Sequence, residues 1–253
     1  MSGAAQKTAV VTGAARGIGL ATTRAFLAEG WRVVMIDRDA PALEEAAAPL
    51  TGVDPVVCDV SQAGQVDQMA AYLAETTDRL DALVNNAGVA DFGPIAETDF
   101  ARWRTVMETN LDGVFLMSQA LREALCEAKG AIVNIASISG LRASTLRVAY
   151  GTSKAAVKHL TLQQAAELGE FGVRANCVCP GPVATKLAMA VHTPDIIAAY
   201  HDAIPLNRYG TEEELANVIC FLCSDKASYV TGQIIAVDDG FEATGIGLPS
   251  LRG

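Results

Sequence analysis

The chain of 253 residues has no uninterrupted apolar run of transmembrane length, and its opening stretch, MSGAAQKTAVV, lacks the apolar core of a signal peptide. These absences predict a soluble, cytoplasmic protein with no membrane partner. Positive charge is scarce: 19 Lys and Arg stand against 29 Asp and Glu, a formal net charge of −10, which repels a phosphate backbone and argues against nucleic acid. Histidine is confined to His159, His192 and His201. Of six cysteines only Cys220 and Cys223 form a CxxC, inside the helical pattern EEELANVICFLCSD and with no second pair at metal-site spacing. Neither a metal site nor a disulfide framework is expected, because the other cysteines lie mostly in apolar segments, where cysteine acts as a small hydrophobe. No Pro/Gly/Ser-rich linker, repeat or charge run divides the chain, so a single domain spanning 1–253 is expected.

What remains is apolar. Hydrophobic residues make up 51% and charged residues 19%, with a mean hydropathy of +0.26, which excludes disorder and leaves apolar surface for contact between subunits. Short β-branched runs (TAVVTG, WRVVMID, VDPVVCDV, LDALVNNAG, AIVNIAS, GVRANCVCP, QIIAVDD) alternate with longer amphipathic segments, among them helices near 101–128, 150–169 and 211–223. The runs are apolar on both faces. Such strands belong to a parallel sheet covered by helices on either side, an α/β, doubly wound, Rossmann-type single domain whose ligands sit at the carboxyl ends of the strands.

Two local patterns carry chemistry. The first strand ends in TGAARGIG, residues 12–19, where Gly13, Gly17 and Gly19 permit a tight turn and a close backbone approach to a pyrophosphate at a helix N-terminus. Three glycines in a strand-to-helix loop are weak evidence alone, since tight turns need glycine anyway. Asp37, eighteen residues after Gly19 at the end of the second strand, either accepts hydrogen bonds from adenosine-ribose hydroxyls or caps the next helix. The second pattern is YGTSK, residues 150–154: Tyr150 and Lys154 stand four apart and share one helix face, as a reactive pair or as an ordinary surface pair.

The series TGAARGIG, CDV (58–60), NNAG (85–88), ETN (108–110), IVNIAS (132–137), YGTSK (150–154) and CPGPVAT (179–185) resembles the short-chain dehydrogenase/reductase family over nearly the whole chain, through VTGQIIAVDDG at 230–240. The resemblance implies roles. Tyr150 is the general acid/base, Lys154 stabilises its phenolate and holds the nicotinamide ribose, Ser137 bonds the reacting oxygen, and Asn110 holds a relay water. Cofactor contacts are implied for Gly13, Arg16, Gly17, Ile18, Gly19, Asp37, Asp59, Val60, Asn86, Gly88, Tyr150, Lys154, Pro180, Gly181, Val183 and Thr185. Within that set, NNAG is open to a mainly structural reading, with Asn86 tying strand to strand. Asp239-Gly240 stands where the family often has Gly-Gly, and Ala136-Ser137 where it often has Ser-Ser.

The expectation that follows is an oxidoreductase moving a hydride between NAD(H) and a secondary alcohol or ketone, assembled as a homotetramer through the helices near 101–128 and 150–169. An NADPH-dependent 3-oxoacyl thioester reductase is the alternative, with Arg16 placed to meet a 2′-phosphate; a non-catalytic nucleotide-binding member is a further one. Residues 186–210 are expected to form a lid over a small-molecule substrate whose identity the sequence does not specify. The segment ISGLRASTLRVA carries Arg142 and Arg147, which either orient an anionic or hydroxyl-rich substrate or belong to a subunit interface.

Overall fold

A computed structural model describes residues 6–185, 189 and 192–244. Seven strands, β1 (Thr8–Thr12), β2 (Arg32–Asp37), β3 (Val53–Val57), β4 (Ala82–Asn85), β5 (Ala131–Ile135), β6 (Arg174–Pro180) and β7 (Ile234–Val237), form one sheet in the order β3-β2-β1-β4-β5-β6-β7. Every pairing is parallel. The doubly wound α/β expectation is met, and the order reverses between β1 and β4, where such sheets open a crevice at their carboxyl edge.

The two-sided burial of the strands explains their unbroken apolar runs. Along β1, Ala9 and Val11 join the cluster of Phe26, Leu43, Leu215, Ile219 and Leu222, whereas Val10 faces Val66, Met69, Leu73, Met117 and Leu125. The first cluster is supplied by α1 (Gly17–Ala28), α2 (Ala40–Ala47) and α9 (Glu212–Cys223). On the other face lie α3 (Ala63–Thr76), α5 (Gly113–Ala120), α6 (Arg122–Ala128) and the 21-residue α7 (Val148–Leu168). Pro55 is accommodated because β3 is an edge strand. Helix α9 begins with a capping box, Thr211 Oγ1 accepting from the Glu214 N–H and Glu214 Oε2 from the Thr211 N–H.

One expected element is corrected. The single helix near 101–128 is instead α4 (Phe100–Met107), a π-helical turn over Glu108–Asp112, then α5, with a break at Leu121 before α6. The wider turn carries Asn110, whose side chain pairs with the Val89 backbone in both directions: Oδ1 accepts from Val89 N at 2.8 Å and Nδ2 donates to Val89 O at 2.9 Å. Part of the expected lid falls outside the described residues; within it, α8 (Pro194–Ala203) starts at Thr193, whose hydroxyl accepts from Ile196 N.

Candidate active site

The residues singled out from sequence collect along the carboxyl edge of the sheet. Gly13 and Gly17 adopt left-handed φ values of +64° and +58°, and a Cβ on Gly19 would lie 2.1 Å from the Gly13 carbonyl oxygen, so only glycine fits. Helix α1, which contains Ile18, has no side-chain cap, leaving its first-turn N–H groups for a ligand. Asp37 does not cap α2; Asp39 does, accepting from Ala42 N at 3.3 Å. Instead Asp37 Oδ2 accepts from Ala15 N in the glycine loop and Oδ1 from Asp39 N, both at 3.1 Å. That fixes the carboxylate between the β2 end and the loop.

Neighbouring charges are already engaged. Arg16 pairs with Asp39, and each favours the charged form of the other. Asp59 Oδ1 accepts from the Ser61 N–H and hydroxyl, and its Oδ2 lies 3.7 Å from Arg38; these contacts hold its carboxyl below the ordinary range although burial opposes them. Val60 is buried and packs on Gly113. The structural side of NNAG is plain: Asn86 Nδ2 donates to Thr12 O and Gly13 O at 2.9 and 3.2 Å, tying β4 to the glycine loop.

Farther along the edge, Ser137 follows β5 and Tyr150 and Lys154 lie in the first two turns of α7. Lys154 is 4% exposed, and its Nζ donates to Ile135 O at 2.8 Å and stands 5.9 Å from the Tyr150 ring centroid. Desolvation pulls its pKa down to about 8. Burial also pushes the Tyr150 phenol above its ordinary value, while the nearby Ser137 hydroxyl and Arg147 charge act the other way. Ser137 Oγ accepts from Ser139 N at 3.1 Å.

Asn110 is fully buried, and besides Val89 its Nδ2 donates to Ser153 Oγ at 3.1 Å; Ser153 Oγ in turn donates to Tyr150 O at 2.7 Å. Ser153 was not among the residues singled out from the sequence. It is the link between the π-turn and the Tyr150 backbone, a pairing that no spacing rule reveals. A Cβ on Gly88 would stand 3.2 Å from Asn110 Oδ1 and 3.4 Å from Lys154 Nζ, so its absence keeps space beside the ammonium.

On the far side, Pro180 ends β6. A Cβ on Gly181 would lie 2.5 Å from Asp238 Cβ, and Val183 is buried and pairs with Gly210 as Ala184 N donates to Gly210 O at 3.0 Å. Thr185 N donates back to Val183 O at 2.8 Å. The glycine cradle, the uncapped α1 terminus and a buried ammonium with a single carbonyl acceptor together fit a dinucleotide laid along this edge. Among the described residues no group of three or more His, Cys, Asp or Glu could hold a metal ion, and no helix is long and apolar enough to cross a membrane.

Comparison with known proteins agrees with this geometry. Residues 13–242 match the family model described as Enoyl-(Acyl carrier protein) reductase. The galactitol 2-dehydrogenase (L-tagatose-forming) of Cereibacter sphaeroides is 43% identical over 239 residues, covering 92% of this chain and 94% of the relative. The 3-oxoacyl-[acyl-carrier-protein] reductase FabG of Thermotoga maritima is 36% identical over 239 residues, 92% of this chain and 97% of its own. The crystal structure of gox2181 superposes with a TM-score of 0.89 at 34% identity, covering 94% and 96% of the two chains. The chain belongs to the short-chain dehydrogenase/reductase family. It is an oxidoreductase of that family.

Proposed function

We propose that this oxidoreductase is an NAD-dependent secondary-alcohol dehydrogenase working as a homotetramer, with Asn110, Ser137, Tyr150 and Lys154 as its catalytic set. The observation that carries the reading is the buried Lys154 ammonium behind the Tyr150 phenol, with Ser137 beside it, at the edge where the glycine cradle lies. Polyol and diol dehydrogenases among the relatives, including galactitol 2-dehydrogenase, support an alcohol carbon as the reacting centre.

The nicotinamide, when bound, accepts or supplies the hydride. Everything else is asked of the chain. Gly13, Gly17, Ile18 and Gly19 would take the pyrophosphate, Asp37 the adenosine ribose, Asp59 and Val60 the adenine, and Val183 and Thr185 after Pro180-Gly181 the carboxamide. Tyr150 passes a proton to a ketone oxygen, or takes one from an alcohol, while Ser137 orients that oxygen. A phenol held above its ordinary pKa stays protonated at neutral pH, so the proton that ketone reduction needs is in place, whereas alcohol oxidation needs the phenolate that the Lys154 charge favours. Lys154, released from Ile135 O, can hold ribose hydroxyls and favour the phenolate. Asn110, locked by Val89 and Ser153, holds the π-turn against the Tyr150 backbone and would steady a relay water.

Asp37 supports NAD over NADP. A carboxylate about 4 Å from a 2′-phosphate charge costs on the order of 4 kcal/mol at an effective dielectric of 20. The second reading, an NADPH-dependent 3-oxoacyl thioester reductase, draws on Arg16 and Arg38, which flank Asp37 and could turn from Asp39 and Asp59 towards a phosphate. Kinetics with both cofactors on secondary alcohols decide between the two. NAD is expected to give the higher kcat/KM, and Tyr150→Phe to lose most turnover while still binding NADH. A Tyr150→Phe enzyme with near-native kcat overturns the catalytic reading, equal or better kcat/KM with NADP overturns the cofactor, and a wild-type enzyme without turnover favours a non-catalytic member.

A further inference from the structure

The two arginines of the loop between β5 and α7 have different surroundings. Arg142 is spent on the C-terminal segment: its guanidinium lies 4.1 Å from the Phe241 ring centroid, Nη2 donates to Phe241 O at 3.1 Å, and Nε stands 3.3 Å from Glu242 Oε2. Arg147 is different. It is only partly exposed, yet it has neither an ion pair nor a side-chain hydrogen bond among the described residues, a condition that the described arginines share only at the exposed Arg24. In a chain with ten more carboxylates than basic residues, a guanidinium left open in a sheltered place marks a site.

Its position is held with some care. Arg147 lies over the Phe92 ring at 4.5 Å, and the Phe92 and Tyr150 rings meet in a T-shaped arrangement at a centroid distance of 6.4 Å. The backbone is pinned by the Gly93–Arg147 bridge and by Gly93 N donating to Leu146 O at 3.0 Å. Just before it, Leu146 adopts a left-handed φ of 62°, a strained conformation for a leucine, with 52% of the residue exposed. The loop therefore spends backbone strain and exposes an apolar side chain at the step that sets Arg147 beside Phe92. From there its charge reaches both Tyr150 and, on the lid side, His192. Through Phe92 it is placed one ring away from the reacting phenol, at the N-terminal end of the catalytic helix.

We propose that Arg147 is the anion-binding arm of the substrate pocket, its guanidinium taking a carboxylate on the hydroxy acid or keto acid whose carbinol or carbonyl carbon reacts at Tyr150. The proposal deepens the secondary-alcohol reading and rests on it. Guanidinium and carboxylate meet through two parallel N–H···O bonds, and the Phe92 face keeps the planar group oriented for that contact. A neutral alcohol of the same length gains nothing from it.

The test compares matched substrates in the wild-type enzyme, Arg147→Met and Arg147→Lys: acetoacetate against pentan-2-one, levulinate against hexan-2-one, and gluconate against glucitol in the oxidation direction. In at least one pair the wild type is expected to favour the anion by about tenfold or more in kcat/KM. Arg147→Met should erase that preference through KM while leaving the neutral member within about threefold, and Arg147→Lys should recover part of it. Melting curves and NADH fluorescence titration establish that each variant folds and binds cofactor; should Arg147→Met not fold, Arg147→Gln takes its place. A wild type without preference for any anion overturns the proposal. So does a variant that loses equally on both members of a pair, which would assign Arg147 to the electrostatics of Tyr150 alone. If the wild type turns over no member of any pair, the secondary-alcohol reading falls. The arm is then tested separately by calorimetric binding of acetoacetate and levulinate to the enzyme–NADH complex: binding lost in Arg147→Met sustains it, and no binding to the wild type overturns it.

Discussion

Lys154 carries an energetic cost that the spacing of YGTSK does not reveal. A buried ammonium with one carbonyl partner has given up most of its hydration, and the fall of its pKa from 10.5 to about 8 corresponds to ~3 kcal/mol of destabilisation. Below about pH 8 both folded and unfolded chains hold the proton, so the cost is fully present. Between about 8 and 10.5 the unfolded chain holds it and the folded chain does not, so stability rises with pH and the cost is removed. The expected outcome is that the wild type gains about 3 kcal/mol relative to Lys154→Met between pH 7 and pH 10.5, read from urea midpoints of the cofactor-free proteins. A constant difference across that range would contradict the buried charge. At this scale Tyr150, Lys154 and Ser137 were legible because helix periodicity and family spacing bring them together. The links through Ser153 and Val89, and the contrast between Arg142 and Arg147, were not legible, because they depend on which loops meet after folding.

Elements with one simple period were read closely: β1, β2 and β5 were visible as buried apolar runs, and α7 as a long helix after Arg147. The break between α4 and α5 was hidden because no proline or glycine marks residues 108–112; a tertiary contact, the Asn110 grip on Val89, accompanies the widened turn. The turn after β7 shows the reverse case, a sequence departure with a readable structural price. Asp239 sits at φ 56°, where glycine is free of strain. Its Oδ2 is buried without a hydrogen bond and only 3.7 Å from Arg208. Asp239→Gly is therefore expected to stabilise the protein by about 1 kcal/mol, a rise in Tm of roughly 2–4 °C. A lower Tm would mean that the Arg208 contact outweighs both the strain and the unmet oxygen.

Among the described residues, two separate faces offer apolar surface suited to contact between subunits. On one, a cavity of about 710 Å³ opens between α4, α5 and α7, lined by Leu111, Phe115, Leu116 and Leu160 and rimmed by Arg104, Glu108 and Asp112. Phe115 is 48% exposed and Leu162 41%, with Ala155 and Ala166 offering a smooth stretch of α7 for close helix packing. On the other face, β7 is an edge strand of sequence IIAV in which no residue is fully buried. A closed tetramer with three perpendicular two-fold axes requires two different self-complementary contacts, and these two faces can supply one each. Light scattering is expected to give four times the 26.4 kDa chain mass for the wild type. Phe115→Asp would place a carboxylate beside Glu108 and Asp112, add like charge to its symmetric copy, and leave the β7 contact intact. The variant should therefore be a dimer with unchanged secondary structure. A stable wild-type monomer at micromolar concentration would contradict the assembly, and a Phe115→Asp tetramer would remove the helix face from it.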